Sequence, residues 1–200
     1  MAEPGLTIPV SIGDTVVAVL EPMTERTAGD PELVAQLTNW RNAARGAFLT
    51  QFEATPERTS AWLEKTVLPD PARRLFIIRD AQGAVGTIGY IHLTAEGAEL
   101  DNLLRGERRG PPTLVHAVEI ALVQWLFATY DLRRIEAVVL SNNFAALQLH
   151  HSIGFEIVSR TPLRRVVHEN GEIALVDADA PDDSGLHKLR LVLTREGLVL

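Results

Sequence analysis

The chain reads as a mixed α/β protein in which helices cover one sheet, and three observations predict this class. Apolar residues recur at helical spacing in two blocks ahead of Pro71 and in one long block after Thr113. Short β-branched or apolar runs, separated by turn signals such as Asp80-Ala81-Gln82-Gly83 and Asn170-Gly171, lie between and beyond those blocks. The resulting order is βααβββαβαβ plus extra hairpin material, which is not the strict alternation of a doubly wound sheet. With 200 residues, 46% of them hydrophobic, and no repeat, low-complexity tract or linker, the chain is read as a single domain over 1–200. Residues 1–14 form an N-terminal extension, and residues 168–186 a hairpin and acidic loop.

Each element has its own local reason. Residues 15–20 are the best strand of an extended start. Asp30-Pro31-Glu32 supplies a capping residue, a proline at the first helical position and an acid in the first turn, and Leu33, Leu37 and Trp40 follow at helical spacing. Thr55-Pro56-Glu57 opens a second helix carrying Trp62 and Leu63. Residues 75–79 and 84–93 pair as a hairpin, and residues 98–104 add a strand that runs into Arg105-Gly106-Glu107-Arg108-Arg109-Gly110-Pro111-Pro112. From Thr113 to Tyr130 the helix is so apolar that it must be largely buried. Residues 135–140 form a strand, Ser141-Asn142-Asn143 caps a short helix over 144–152, and Gly154 stops it. Strand signals resume over 155–167, turn at Asn170-Gly171, continue to Val176 and close over 188–194.

Composition removes several functions. A net charge of −7, from 26 acids against 19 basic residues, lacks the broad positive field of a nucleic-acid binder. The absence of Cys excludes disulfide frameworks, thiolate zinc sites and cysteine nucleophiles. The six His lack a ligand spacing, so no metal is expected. No apolar run reaches the roughly 18 residues of a membrane span, and the start shows no signal pattern, so a cytoplasmic protein without membrane partners is expected. Six acids and no Lys or Arg fall between Glu169 and Asp183, which concentrates the negative charge in the late hairpin. Residues 103–110, in contrast, carry three arginines against one glutamate. A strand that delivers Arg105, Arg108, Arg109 and Gly110 to the start of a buried helix offers guanidinium forks, backbone N–H groups and a helix dipole to a phosphate. Neither a Walker-type nor a Gly-x-Gly-x-x-Gly motif occurs.

Three patches resemble the GNAT superfamily of acyl-CoA N-acyltransferases over roughly residues 15–195. Trp40-Arg41-Asn42, followed by Phe48, Thr55 and Trp62, is similar to the branch containing ribosomal-protein and nucleotide-sugar N-acetyltransferases. The arginine loop occupies the place of the superfamily's pyrophosphate cradle, with Arg108 or Arg109 at its first position. Asn143-x-x-Ala146-x-x-x-His150-x-x-x-Gly154-Phe155 follows the family's Asn-x-x-Ala…Tyr…Gly-Phe signature. Two departures stand out. Pro111, Pro112 and Thr113 replace cradle glycines, and proline has no N–H. A helix starting at the prolines would still present N–H groups of Thr113, Leu114 and Val115. His150 stands where the family generally has a tyrosine that protonates the leaving thiolate, a role an imidazolium can also fill.

The resemblance implies a mixed, mostly antiparallel sheet, splayed at an acyl-CoA slot and carrying helices on both faces. It also implies transfer of an acetyl or other short acyl group from acetyl-CoA or another acyl-CoA to an amine, with no metal. The expected acceptor is a small molecule, possibly a nucleotide-linked amino sugar; the alternatives are a peptide or protein amino terminus, or a non-catalytic CoA-binding regulatory domain. The base belongs on the strand before the cradle: Asp101 first, Glu99 second, both on one face by alternation with Asn102 on the other. His150 is the acid. Leu103, Leu104 and Arg105 line the slot, and Arg108, Arg109, Gly110, Pro112, Thr113, Leu114, Asn143 and Ala146 complete the cofactor set. Arg41, Asn42, Phe48, Gln51, Phe52, His92 and Asn102 are the acceptor-side candidates, and Arg164 or Arg165 could meet a nucleotide's phosphate. A monomer or a homodimer is expected.

Overall fold

Residues 7–199 are described in the computed structural model. Their strands are β1 (Ile8–Ile12), β2 (Thr15–Pro22), β3 (Thr50–Gln51), β4 (Arg74–Asp80), β5 (Gly83–Ile91), β6 (Gly97–Arg105), β7 (Arg134–Leu140), β8 (Glu156–Val167), β9 (Ile173–Asp177) and β10 (His187–Thr194). The helices are α1 (Glu25–Ala28), α2 (Pro31–Ala43), α3 (Pro56–Trp62), α4 (Leu114–Tyr130) and α5 (Phe144–Ser152). One sheet runs in the order β1-β2-β4-β5-β6-β7-β10-β8-β9-β3. Of the expected extension over 1–14, residues 8–12 form edge strand β1, while residues 1–6 lie outside the described residues.

Local chemistry sets the boundaries. The Asp30 side chain accepts from the N–H groups of Glu32 (3.0 Å) and Leu33 (3.4 Å), and Thr55 accepts from that of Arg58 (3.3 Å), so both proline-opened helices start at their caps. Strand β4 is a continuous apolar run because both its faces are covered. Phe76 and Ile78 join the core under α4, while Leu75 and Ile77 join the core under α2 and the turn that follows α3. The helices thus lie on both faces, as expected. A smaller cluster of Leu140, Leu163 and Leu175 packs the β8–β9 hairpin onto the end of β7.

All strand pairs are antiparallel except β6–β7, which is parallel only from Gly97↔Arg134 to Leu100↔Ala137. Beyond that point β7 continues along β10 to Leu140, and β6 stays with β5. The sheet therefore opens between residues 101–105 and 138–140, where backbone groups facing the gap have no strand partner. A bulge in β6 sharpens the opening. Thr87 pairs with Leu104 but Gly89 with Asp101, and Asn102 absorbs the extra residue with φ +52°. Asparagine tolerates this left-handed backbone better than most residues. The Thr87 hydroxyl fixes it by donating to the Asn102 carbonyl at 2.7 Å.

Candidate active site

Two cavities meet at the bulge. One, of about 350 Å³, lies between the sheet and α2–α3, with Leu37, Arg41, Phe52, Arg58, Trp62 and Arg73 in its wall. The other, of about 340 Å³, fills the splay between β6 and β7 and reaches Asn143, Ala146 and His150 on α5. Phe48, Thr50, Ile91, Asp101, Asn102 and Leu104 line both. A molecule in the splay and a molecule under α2 would face each other across Asp101 and Asn102.

Asp101 sits at that junction, half-buried and 3.4 Å from the Arg73 guanidinium. Burial pushes its carboxyl above the ordinary carboxylate range; Arg73 and the amide of Asn102 pull it part of the way back. The Asn102 amide donates to Asp101 Oδ2 at 2.6 Å. Strict alternation, which puts Asn102 on the opposite face, fails here because the bulge turns the backbone. Glu99 lines only the splay cavity; burial also raises its carboxyl, with His92 3.4 Å away opposing the rise. His92 is not a strand residue, as expected from the sequence, but follows the end of β5 with φ +54° and a side chain 72% exposed.

The arginine loop sorts its three guanidiniums. Arg109 donates to Asp80 Oδ2 (2.9 Å) and to the Ala84 carbonyl (2.8 Å), which ties the loop to the β4–β5 hairpin and removes this side chain from a phosphate role. Arg105 donates to the carbonyls of Glu107 (3.2 Å) and Arg109 (2.9 Å), so the loop wraps its guanidinium. Arg108 is exposed and makes no hydrogen bond or ion pair among the described residues. The helix does not start at the prolines: Pro111 and Pro112 form a turn, in which the Leu114 N–H donates to the Pro111 carbonyl at 3.0 Å, and α4 begins at Leu114. The Leu114 N–H is therefore taken. Thr113 provides no side-chain cap and the first turn holds no acid, so the next N–H groups, of Val115 and His116, stay open at the end of a 17-residue helix. An open helix end beside the unpartnered Arg108 fits a pyrophosphate despite the prolines.

Three consecutive residues of α2 do three separate jobs. Trp40 is buried and donates through Nε1 to Glu107 at 3.1 Å. Its ring lies so close to Gly106 that a Cβ there would approach it to 2.0 Å, which leaves glycine as the residue that lets the loop close. The guanidinium carbon of Arg41 sits 3.7 Å from the centroid of Phe48, and Nη2 donates to the Thr50 carbonyl at 2.6 Å. Its Nη1 is buried without a partner, and burial together with the neighbouring Arg45 and Arg58 lowers its pKa. Asn42 is a clamp: its side chain accepts from the Ala54 N–H (2.8 Å) and donates to the Ala54 carbonyl (3.0 Å), and it lines neither cavity, contrary to the acceptor role expected of it. Gln51 likewise turns to the Phe48 carbonyl at 3.4 Å. Strand β3 pairs with β9, and Arg58, 3.9 Å from the Phe52 centroid, ion-pairs with Glu172, so the late hairpin closes over this cavity. Arg164 and Arg165 lie on β8 outside both linings.

On α5, Asn143 caps the helix, accepting from the Ala146 N–H at 3.3 Å while it lines the splay. His150, 5% exposed, turns Nδ1 to the carboxylate of Glu119 on α4, which is 0% exposed. The sequence reading passed over Glu119, although it is the one charged residue between Thr113 and Tyr130. Arg73 was missed too; nothing in the sequence around Pro71 marks it.

A family model described as an acetyltransferase (GNAT) domain matches residues 19–156. Spermidine N-acetyltransferase from Vibrio cholerae, solved in complex with CoA and spermine, is similar in structure at 17% identity and a TM-score of 0.67, over 90% of this chain and 96% of that one. RimL, a ribosomal L7/L12 alpha-N-protein acetyltransferase, is similar at 13% identity and a TM-score of 0.67, over 97% of both chains. The Campylobacter jejuni N-acetyltransferase PseH, solved with acetyl coenzyme A, aligns at 14% identity and a TM-score of 0.55, over 88% of this chain and 97% of that one. Among curated protein sequences none matches this chain. At such identities the solved structures bear on the fold alone, and they share this mixed α/β fold. The family model covers well over half of the chain: it belongs to the GNAT acetyltransferase family and is an acyl-CoA-dependent N-acetyltransferase.

Proposed function

We propose that this enzyme transfers the acetyl group of acetyl-CoA to the primary amine of a small molecule that also carries an acidic group, a carboxylate or a phosphate. The guanidiniums of Arg41, Arg58 and Arg73 in the wall of the cavity under α2, with Asp101 as its single acid, carry this reading. Guanidinium forks suit a carboxylate or a phosphate. Like charge would therefore repel a polyamine. Aromatic faces at Phe48, Phe52 and Trp62 suit a sugar or base ring beside the anion. A nucleotide-linked amino sugar meets all three conditions.

The donor would lie in the splay, its pyrophosphate at the start of α4 with Arg108, and its thioester beside residues 102–104 of β6. A free backbone N–H of that strand would polarise the thioester carbonyl. Asp101, at the junction of the two cavities, would take the proton from the acceptor's ammonium, directly or through water, and the freed amine would attack the thioester carbon. Burial leaves Asp101 a stronger base than a solvated carboxylate.

Thiol release from acetyl-CoA, followed with nucleotide-linked amino sugars, amino acids, acidic and neutral peptides and spermidine, tests this. Anionic amines are expected to be the best acceptors, with Arg41→Gln raising the acceptor KM about tenfold, the value of one charge-assisted hydrogen bond. Spermidine as the best acceptor, indifferent to Arg41→Gln, would overturn the reading.

A further inference from the structure

We propose that Glu119 and His150 work as a single proton-holding unit, in which the buried carboxylate of Glu119 keeps a proton on His150 Nε2 for the departing thiolate. The inference rests on the acetyl-transfer reading of the splay cavity, and it starts from the burial of Glu119. This carboxylate is 0% exposed, in the middle of an apolar helix, and only Oε1 has a partner, the Nδ1 of His150. Oε2 has none. A lone carboxylate in such a place is strongly disfavoured, so the pair as a unit must be near neutral.

Neutrality decides which ring nitrogen bears hydrogen. Two protons make the pair neutral, and three arrangements do so: imidazolium with carboxylate, neutral imidazole with the acid proton on Oε1, or an Nδ1–H imidazole with the acid proton on Oε2. In the first two, one proton lies between Nδ1 and Oε1 and the other sits on Nε2; the third puts an O–H donor on the buried, partnerless Oε2, where nothing accepts it. The remaining arrangement, Nδ1–H with carboxylate, has one proton fewer and buries a net negative charge. Nε2 is thus a donor in the resting enzyme. It makes no hydrogen bond within the protein, yet it is not among the sealed unpartnered atoms, so it keeps contact with the cavity that His150 lines. Phe155, 5.2 Å away by ring centroids and edge-on, fixes the ring plane.

The step balances without a further reagent. The amine nitrogen forms the bond to the acyl carbon, the carbon–sulfur bond breaks with its electron pair on sulfur, and Nε2 gives its proton to that sulfur to release the free thiol of CoA. The pair, now one proton short, recovers it from water after the product leaves. His150 touches the reacting sulfur and is the catalytic residue of the two. Glu119 acts through it and is a positioning residue.

The test combines Glu119→Gln, His150→Phe and the double variant with the ring's nitrogen signals. Each single change is expected to lower kcat about 100-fold while the KM for acetyl-CoA moves by less than about twofold, and the double variant should be no slower than His150→Phe. In wild-type protein labelled with 15N-histidine, the resonance lost in His150→Phe should report a protonated Nε2 at neutral pH. Full kcat in Glu119→Gln, or multiplying effects in the double variant, would overturn the proposal, and so would an unprotonated Nε2. The nitrogen spectrum needs no turnover. It still decides if Glu119→Gln does not fold, and a protonated Nε2 in a protein that acetylates no amine would fault the reaction assigned to the cavity and not the pair.

Discussion

Two carboxylates flank the splayed strands, and their partners make them opposites. Asp101 is half-buried beside the guanidinium of Arg73, 3.4 Å away. Glu119 is sealed beside His150, an imidazole that can share a proton with it. A permanent cation favours the ionised acid and leaves Asp101 free to accept a proton. A partner that shares a proton lets a carboxylate occupy a dry site as half of a neutral pair. In the proposed reaction the same functional group thus serves as base or as proton store according to what stands next to it.

The largest expected effect tests the base. Asp101→Asn keeps the shape and the hydrogen bond to Asn102 but removes the acceptor of the proton, and kcat should fall by about 10²–10⁴-fold. A change confined to a higher KM would place Asp101 in substrate binding and would break the contrast with His150. Next comes the partner. Arg73 lowers a carboxyl that burial raises, so Arg73→Gln should lift the Asp101 pKa further. Because only the ionised form accepts a proton, the acid limb of the kcat/KM profile should move to higher pH in this variant. A limb that stays in place would mean that the activity reads another group.

How much of this contrast the sequence could show depends on how local each feature is. Asp30 and Thr55 sit beside the helices they cap, and the caps were legible for that reason. Asp101, Asn143, Ala146 and His150 could be named as candidates from strand order and short spacings, and all four line the splay. The helix start after Pro111-Pro112 was misread: proline suits a first helical turn, but here the Leu114 N–H closes a turn on the Pro111 carbonyl first. The bulge at Asn102 was hidden too, since one inserted residue leaves no mark on a pattern of alternation. Partners distant in sequence were invisible. Arg73 meets Asp101, and Glu119 meets His150, only after the sheet and α4 are assembled. Asn42 and Arg109 were assigned to ligands because their chemistry suits that work, and the backbone of this same chain engages them instead.

Arg109 and Asp80 form a third pairing of carboxylate and cation, outside both cavities, and it sharpens the comparison through stability instead of rate. The hydrogen bond from Arg109 holds the Asp80 carboxyl below its ordinary value. A carboxyl depressed by folding contributes stability above its unfolded pKa and loses it as the pH falls through the folded one. Arg109→Ala should therefore lower Tm by a few degrees at neutral pH, about 2–4 °C for each kcal/mol lost in a chain of this size, since the Ala84 carbonyl also loses a donor. Part of that deficit should disappear in acid, once Asp80 is protonated in wild type and variant alike. Asp101 has the reverse sign. Its carboxyl is raised by folding, so its ionisation draws on stability as the pH increases. Thermal unfolding of wild type, Arg109→Ala and Asp101→Asn across the acid range should then give differences of opposite slope, and parallel slopes would show that the surroundings of the two carboxylates do not differ as their burial and partners require.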